Sequence, residues 1–124
     1  MQARAAIAYK KVFLESAPPT RILDELYGRL LLDLETAKDG ILRRDLRAKG
    51  EAISHAQSIL DELSLALDHR AAPELSANLV RLYEFCALRM SAANMQLDIV
   101  PLEEAHKILS QLRESFREAS GLIS

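Results

Sequence analysis

Apolar residues recur on helical spacing from Pro19 to about Arg44. Ile22, Leu26, Leu30, Leu34, Ala37 and Ile41 follow steps of four and three residues, the repeat of one helical face. Leu23, Tyr27 and Leu31 make a second stripe beside it. A surface helix needs a single apolar arc of roughly 100° to dock. The wider arc here predicts a helix over 19–44 that touches neighbours on two sides. Pro18-Pro19 sets its start, because the residue before a proline is pushed out of the α region. Proline itself fits a first turn, with Ser16 and Thr20 as candidate caps. The basic pair Arg43-Arg44 suits the negative end of the helix dipole and marks the finish.

Three further stretches repeat the pattern. Asp45 offers an N-cap oxygen to a second helix over 46–69. Ala52, Ala56, Ile59, Leu63 and Ala66 form its core face, and Ile53, Leu60 and Leu67 flank them at seven-residue intervals. Gly50 lies inside this helix, where it is about 1 kcal/mol less favourable than Ala. A third helix over 74–95 carries Leu75, Leu79, Leu82, Cys86, Met90 and Ala93 on one seam, with Phe85, Leu88, Ala92 and Met95 away from it. A fourth, over 101–120, opens at Pro101 and keeps Leu102, Ala105, Leu109, Leu112, Phe116 and Ala119 on a heptad seam before Gly121 stops it. At about 1.5 Å per residue these helices match in length, and their short connections make neighbours antiparallel. The expected fold is all-α: an antiparallel up-down-up-down four-helix bundle over 19–120. Residues 1–18 lack a sustained period but carry Ile7, Tyr9, Val12, Phe13 and Leu14. That is enough apolar surface for an N-terminal strap lying against the bundle.

Composition narrows the function. The chain has 124 residues, 49% hydrophobic and 27% charged, the balance of one ordinary globular domain. A net charge of −2 provides no basic footprint for nucleic acid. No apolar run reaches the roughly 18 residues of a membrane span. With one cysteine, Cys86, there is no internal disulfide, and no secretory signal is visible, so a cytoplasmic setting is expected. Cys86 falls on the third seam and reads as a buried, inert thiol.

Candidate chemistry is sparse. Glu103 and His106 have the Glu-x-x-His spacing of di-metal bundles, but such a site needs two of these motifs and inward glutamates from other helices. His55 invites a phosphotransfer reading that the following Ala56-Gln57-Ser58 does not support. His69 stands at a helix end. There is no glycine-rich phosphate loop or nucleophile elbow. The expectation is a protein that is not an enzyme and holds no cofactor, metal or small-molecule substrate. What remains is surplus apolar surface: the stripes Leu23/Tyr27/Leu31, Ile53/Leu60/Leu67 and Phe85/Leu88/Ala92/Met95. Either wide bundle interfaces bury them, or some line grooves for a partner helix.

The assembled pattern resembles the flagellin-specific export chaperones, the FliS family. The likeness starts with Tyr9 and Leu14 and continues through Pro19-Thr20-Arg21-Ile22-Leu23-Asp24-Glu25-Leu26-Tyr27-Gly28, similar to that family's Pro-x-x-Leu-x-x-x-Leu-Tyr signature. It extends through Ala56-Gln57-Ser58-Ile59-Leu60-Asp61-Glu62-Leu63, Asn78-Leu79, Leu82-Tyr83, Ala93-Asn94 and Asp98. Leu102-Glu103-Glu104 and Leu109 with Leu112-Arg113-Glu114 bring it to about residue 119. Phe116 stands where the family usually has tryptophan, Pro18 where it has a small polar residue, and Arg21 where an acid is common. The resemblance implies a cytoplasmic chaperone that binds the disordered C-terminal segment of flagellin as it folds into helices. Such a chaperone prevents premature polymerisation and delivers its client to the type III export gate. It also implies a binding role for Tyr9 and Ile7. Leu14, Leu23, Tyr27, Leu31, Ile53, Leu60, Leu67, Phe85 and Leu88 complete the expected partner-binding set. The alternative is a self-associating structural bundle or an adaptor for a different helical partner.

Overall fold

The computed structural model describes residues 12–14 and 19–123. Four helices follow in chain order: α1 (Thr20–Leu42), α2 (Leu46–Leu65), α3 (Pro73–Gln96) and α4 (Val100–Ala119). α1 packs on α2 and α4, and α3 packs on the same two, which closes a square. The expected all-α four-helix bundle is thus what the chain forms.

The phase of the core differs from the expected seams in two helices. In α1 the buried line is Leu23, Tyr27, Leu30, Leu34 and Ala37, with Leu31 beside it, whereas Ile22 is 46% exposed and Leu26 half-buried. Stepping back from Ala37 by three, four, three and four residues leads to Leu34, Leu30, Tyr27 and Leu23, an unbroken heptad line. The line through Leu26 and Ile22 takes successive fours and drifts off the face. The same applies to α3, where Leu79, Tyr83, Cys86, Met90 and Ala93 are buried and Leu75 and Leu82 only partly so. Both tyrosines turn inward. Their hydroxyls meet 2.6 Å apart across the bundle, which satisfies two polar groups that would otherwise be buried alone.

The α1–α2 connection shows how tightly the bundle is drawn. Arg44 takes the left-handed conformation (φ 59°), its N–H donates to Ile41 O, and the N–H of Asp45 reaches Gly40 O. This is a Schellman ending built on arginine rather than glycine. Asp45 then caps α2 directly, its Oδ1 accepting from the Ala48 N–H at 3.1 Å. The reversal brings the α2 backbone onto Gly40, where a Cβ would stand 2.9 Å from Lys49 N and 3.1 Å from Asp45 O. α4 ends on a second Schellman turn, with Gly121 at φ 71° and the Leu122 N–H bonded to Arg117 O. At the start of α1 Thr20 lies inside the helix rather than capping it, and Pro19 occupies the N-cap without a side-chain bond; the other expected cap, Ser16, lies outside the described residues.

α2 stops at Leu65, short of the expected His69. The reason lies in the backbone. Ala66 C=O accepts from the Leu14 N–H at 2.8 Å, and the Asp68 N–H donates to Val12 O at 2.5 Å. Groups that would continue the helix are committed to an antiparallel bridge between Phe13 and Leu67. Asp68 Oδ1 then takes the N–H groups of Arg70 and Ala71, which fixes the turn into α3.

Gly40→Ala gains helix propensity but sets a methyl against backbone that has no rotamer to yield. It should lower stability by about 1–3 kcal/mol in urea unfolding. Gly50→Ala, where nothing lies within 4 Å, should raise stability by about 0.5–1 kcal/mol.

Candidate partner-binding surface

The strap segment 12–14 docks at the end of the bundle that holds the α2–α3 turn. Val12 and Phe13 are buried. The Phe13 ring stands edge-on to Phe116, with centroids 5.5 Å apart and planes at 72°, and Phe116 lies 5.9 Å from Tyr27. These separations suit the favourable aromatic range of about 4.5–7 Å. Phe13 therefore fits a socket floored by Phe116, whose neighbour Tyr27 is tied to Tyr83. Behind the paired backbone, Ser76 Oγ donates to Asp68 O at 3.0 Å. Ser76 is the one fully buried polar residue among those described, and this bond accounts for its burial.

The expected partner-binding residues separate into three groups. Leu23, Tyr27, Leu31, Ile53, Leu60 and Leu67 lie in the core, so in this conformation they present no surface to a partner. Two of the surplus stripes are thus consumed by wide helix interfaces. Leu14, Phe85 and Leu88 are exposed, with Leu88 at 70% and neighbouring Met95 at 84%. Ile7 and Tyr9 lie outside the described residues. Phe85, Leu88, Ala92 and Met95 share a narrow arc of α3. They form an outward ridge rather than the lining of a groove, because α3 turns its Tyr83–Cys86–Met90 line to the core. A shallow depression of about 370 Å³ beside the ridge is lined by Glu84, Ala87, Leu88 and Ser91. Gln57 of α2 donates to its lining residue Ser91 at Oγ, 3.1 Å away, and a bidentate Arg89–Glu104 pair at 2.9 and 3.1 Å ties α3 to α4.

A second hollow, about 420 Å³ between α1 and α4, contains the residues of the Glu-x-x-His motif. Glu103 is paired with Lys38 at 3.2 Å, and His106 faces Glu35 at 3.7 Å. No group of three or more His, Cys, Asp and Glu side chains gathers among the described residues as a metal site would. His55 contacts Asp33 on the exposed α1–α2 surface. Cys86 is fully buried, and burial pushes its thiol up to about 11 from 9.0, which keeps it protonated and unreactive.

Sequence patterning missed the polar ties. Asp24 receives Arg113 at 3.1 Å and Arg117 at 3.3 Å across the α1–α4 interface. Its signal was an acid next to the buried line, one residue from Leu23. Asp68 and Ser76 showed none, because their bonds run through backbone. Exposed Leu32 and Leu65, at 60% and 80%, were likewise not singled out as surface.

Residues 1–122 match the family model described as flagellar protein FliS. The chain is 32% identical over 118 residues to the flagellar secretion chaperone FliS of Salmonella typhimurium, covering 91% of this chain and 87% of that protein. It is 31% identical over 117 residues to the flagellar secretion chaperone FliSB of Pseudomonas aeruginosa, covering 91% and 93%. Against the flagellar secretion chaperone FliS of Bacillus subtilis it is 28% identical over 112 residues, covering 90% and 83%.

Cys86 should resist a thiol-specific reagent at pH 8 and react at once in denaturant. Because its folded pKa is raised, the unfolded chain loses the thiol proton first. The stability it contributes is complete below pH 9 and is lost as pH climbs towards 11. Urea midpoints should fall more steeply through that window for the parent chain than for Cys86→Ala.

Proposed function

This chain belongs to the flagellar protein FliS family, and on that premise we propose that it is a cytoplasmic export chaperone for flagellin. In this reading it binds the C-terminal segment of flagellin, keeps the subunit from polymerising early and helps deliver it to the flagellar type III export gate. The curated relatives are secretion chaperones rather than enzymes. The observation that carries the finer reading is the exposed ridge of Phe85, Leu88 and Met95 on a bundle whose core is already filled.

A disordered client that folds on binding must recover the free energy of its own ordering, typically several kcal/mol, from a large apolar contact. An amphipathic helix laid along α3 would cover side chains that otherwise face water and present its own i, i+3, i+4, i+7 anchors. The exposed Leu14 adds apolar surface beside the Phe13 socket, and the family resemblance adds a binding role for Ile7 and Tyr9, which lie outside the described residues. Buried Leu23, Tyr27, Leu31, Ile53, Leu60 and Leu67 support the reading only as the scaffold that holds the ridge.

Calorimetric titration with the C-terminal segment of the same organism's flagellin should give tight one-to-one binding with a large negative heat-capacity change. Leu88→Glu combined with Phe85→Glu should weaken it at least tenfold while leaving the melting temperature nearly unmoved, since neither side chain contributes to the core. Undiminished binding by that variant would remove α3 from the interface. No heat at tens of micromolar, together with a concentration-dependent mass, would favour a self-associating bundle instead.

A further inference from the structure

We propose that Asp24, Arg113 and Arg117 form an ionic clamp that sets how firmly the strap docks, by holding Phe116 and Tyr27 as the socket for Phe13. Arg113 meets the Asp24 carboxylate with two nitrogens, Nε at 3.1 Å from Oδ1 and Nη2 at 3.4 Å from Oδ2. Arg117 Nε adds a charge contact at 3.3 Å without hydrogen-bond geometry. The carboxylate is only 14% exposed and the guanidinium groups 29% and 33%, so this is not a loose surface pair of the sort that contributes nothing measurable. Gly28 makes room for it: a Cβ there would stand 3.0 Å from Arg113 Nη2 and 3.3 Å from Cζ, so the guanidinium lies flat against α1 between Asp24 and Gly28.

The clamp and the socket share the same turns of the same two helices. Asp24 stands three residues before Tyr27 on α1 and Arg113 three before Phe116 on α4, so both members of the bidentate pair neighbour a socket ring on their own helix face, and Arg117 follows Phe116 directly in sequence. A rotation or slide of α4 against α1 that opened the clamp would carry Phe116 away from Tyr27, and edge-to-face contact with Phe13 tolerates little displacement. The three charged residues are therefore positioning residues for the strap, although none touches it among the described contacts. The effect on binding follows from population arithmetic. A partner that uses the socket sees its affinity multiplied by the fraction of chains in which the strap has left. This is a property of the free chain and stands apart from the identity of the client.

Native-state hydrogen exchange on the full-length chain, with no partner added, tests it. The amides of Leu14 and Asp68 report the strap bridge; those of Leu30, Leu34 and Leu60 report the bundle. Asp24→Asn removes the charge and keeps the shape. It should speed exchange at Leu14 and Asp68 at least tenfold while changing the bundle amides less than threefold, and Asp24→Glu should restore slow exchange. Gly28→Ala keeps every charge but displaces Arg113, and it should act in the same direction if Asp24→Asn fails to fold. Unchanged exchange at Leu14 and Asp68 in both variants would overturn the proposal. So would a rise that matches Leu30 and Leu34, since that is the signature of a clamp that only stabilises the bundle.

Discussion

The backbone of Ala66 to Asp68 decides more of this structure than any side chain does. Its carbonyl and amide are shared with residues 12–14, so α2 cannot run on, and the chain must turn there. The turn delivers Asp68 to the loop amides and to Ser76, which starts α3 in register with the core. It also leaves Leu67 facing Phe13, next to the Phe116 socket. A buried polar backbone must be paired somewhere. Here the partner is a segment distant in sequence, residues 12–14, so the strap is built into the helix boundary itself.

Much of the fold was legible because helical spacing in a bundle leaves little freedom. Four periodic stretches separated by proline, an Asp cap and short polar joints admit few arrangements, and the square of helices was among them. What periodicity could not settle was phase. In α1 and α3 an aromatic residue and a leucine sit side by side, Tyr27 with Leu26 and Tyr83 with Leu82, and either could have faced inward. The two hydroxyls found each other across the core, which makes the tyrosines a better interior choice than their polarity suggests. The end of α2 was illegible for a different reason: residues up to His69 are compatible with a helix, and only a contact distant in sequence terminates it. The candidate surface was legible in part. The α3 ridge was marked as surplus apolar surface, but the same reasoning marked two stripes that the core absorbs, since area alone does not say which face meets a neighbour.

The result is a division of labour among apolar residues. Leu23, Tyr27, Leu31, Ile53, Leu60 and Leu67 lock the helices together, while Phe85, Leu88 and Met95 stay in water. The core is thus complete without the ridge, whose side chains face water on a filled bundle. Charged residues frame the exterior: the Arg89–Glu104 fork ties α3 to α4 beside the ridge and keeps its base from shifting.

The tight Arg44–Asp45 reversal also bears on how the chain comes to be folded. α1 and α2 are joined by so few residues that their pairing closes a small loop, and local contacts of this sort form early. The strap is the opposite case. Residues 12–14 leave the ribosome before any helix does, yet their docking site does not exist until the α2–α3 turn has been made. Translation at roughly 5–20 residues per second puts seconds between the two events. During that interval the first-made part of the protein has to wait for a later part, and every newly synthesised molecule passes through a stage with its strap undocked.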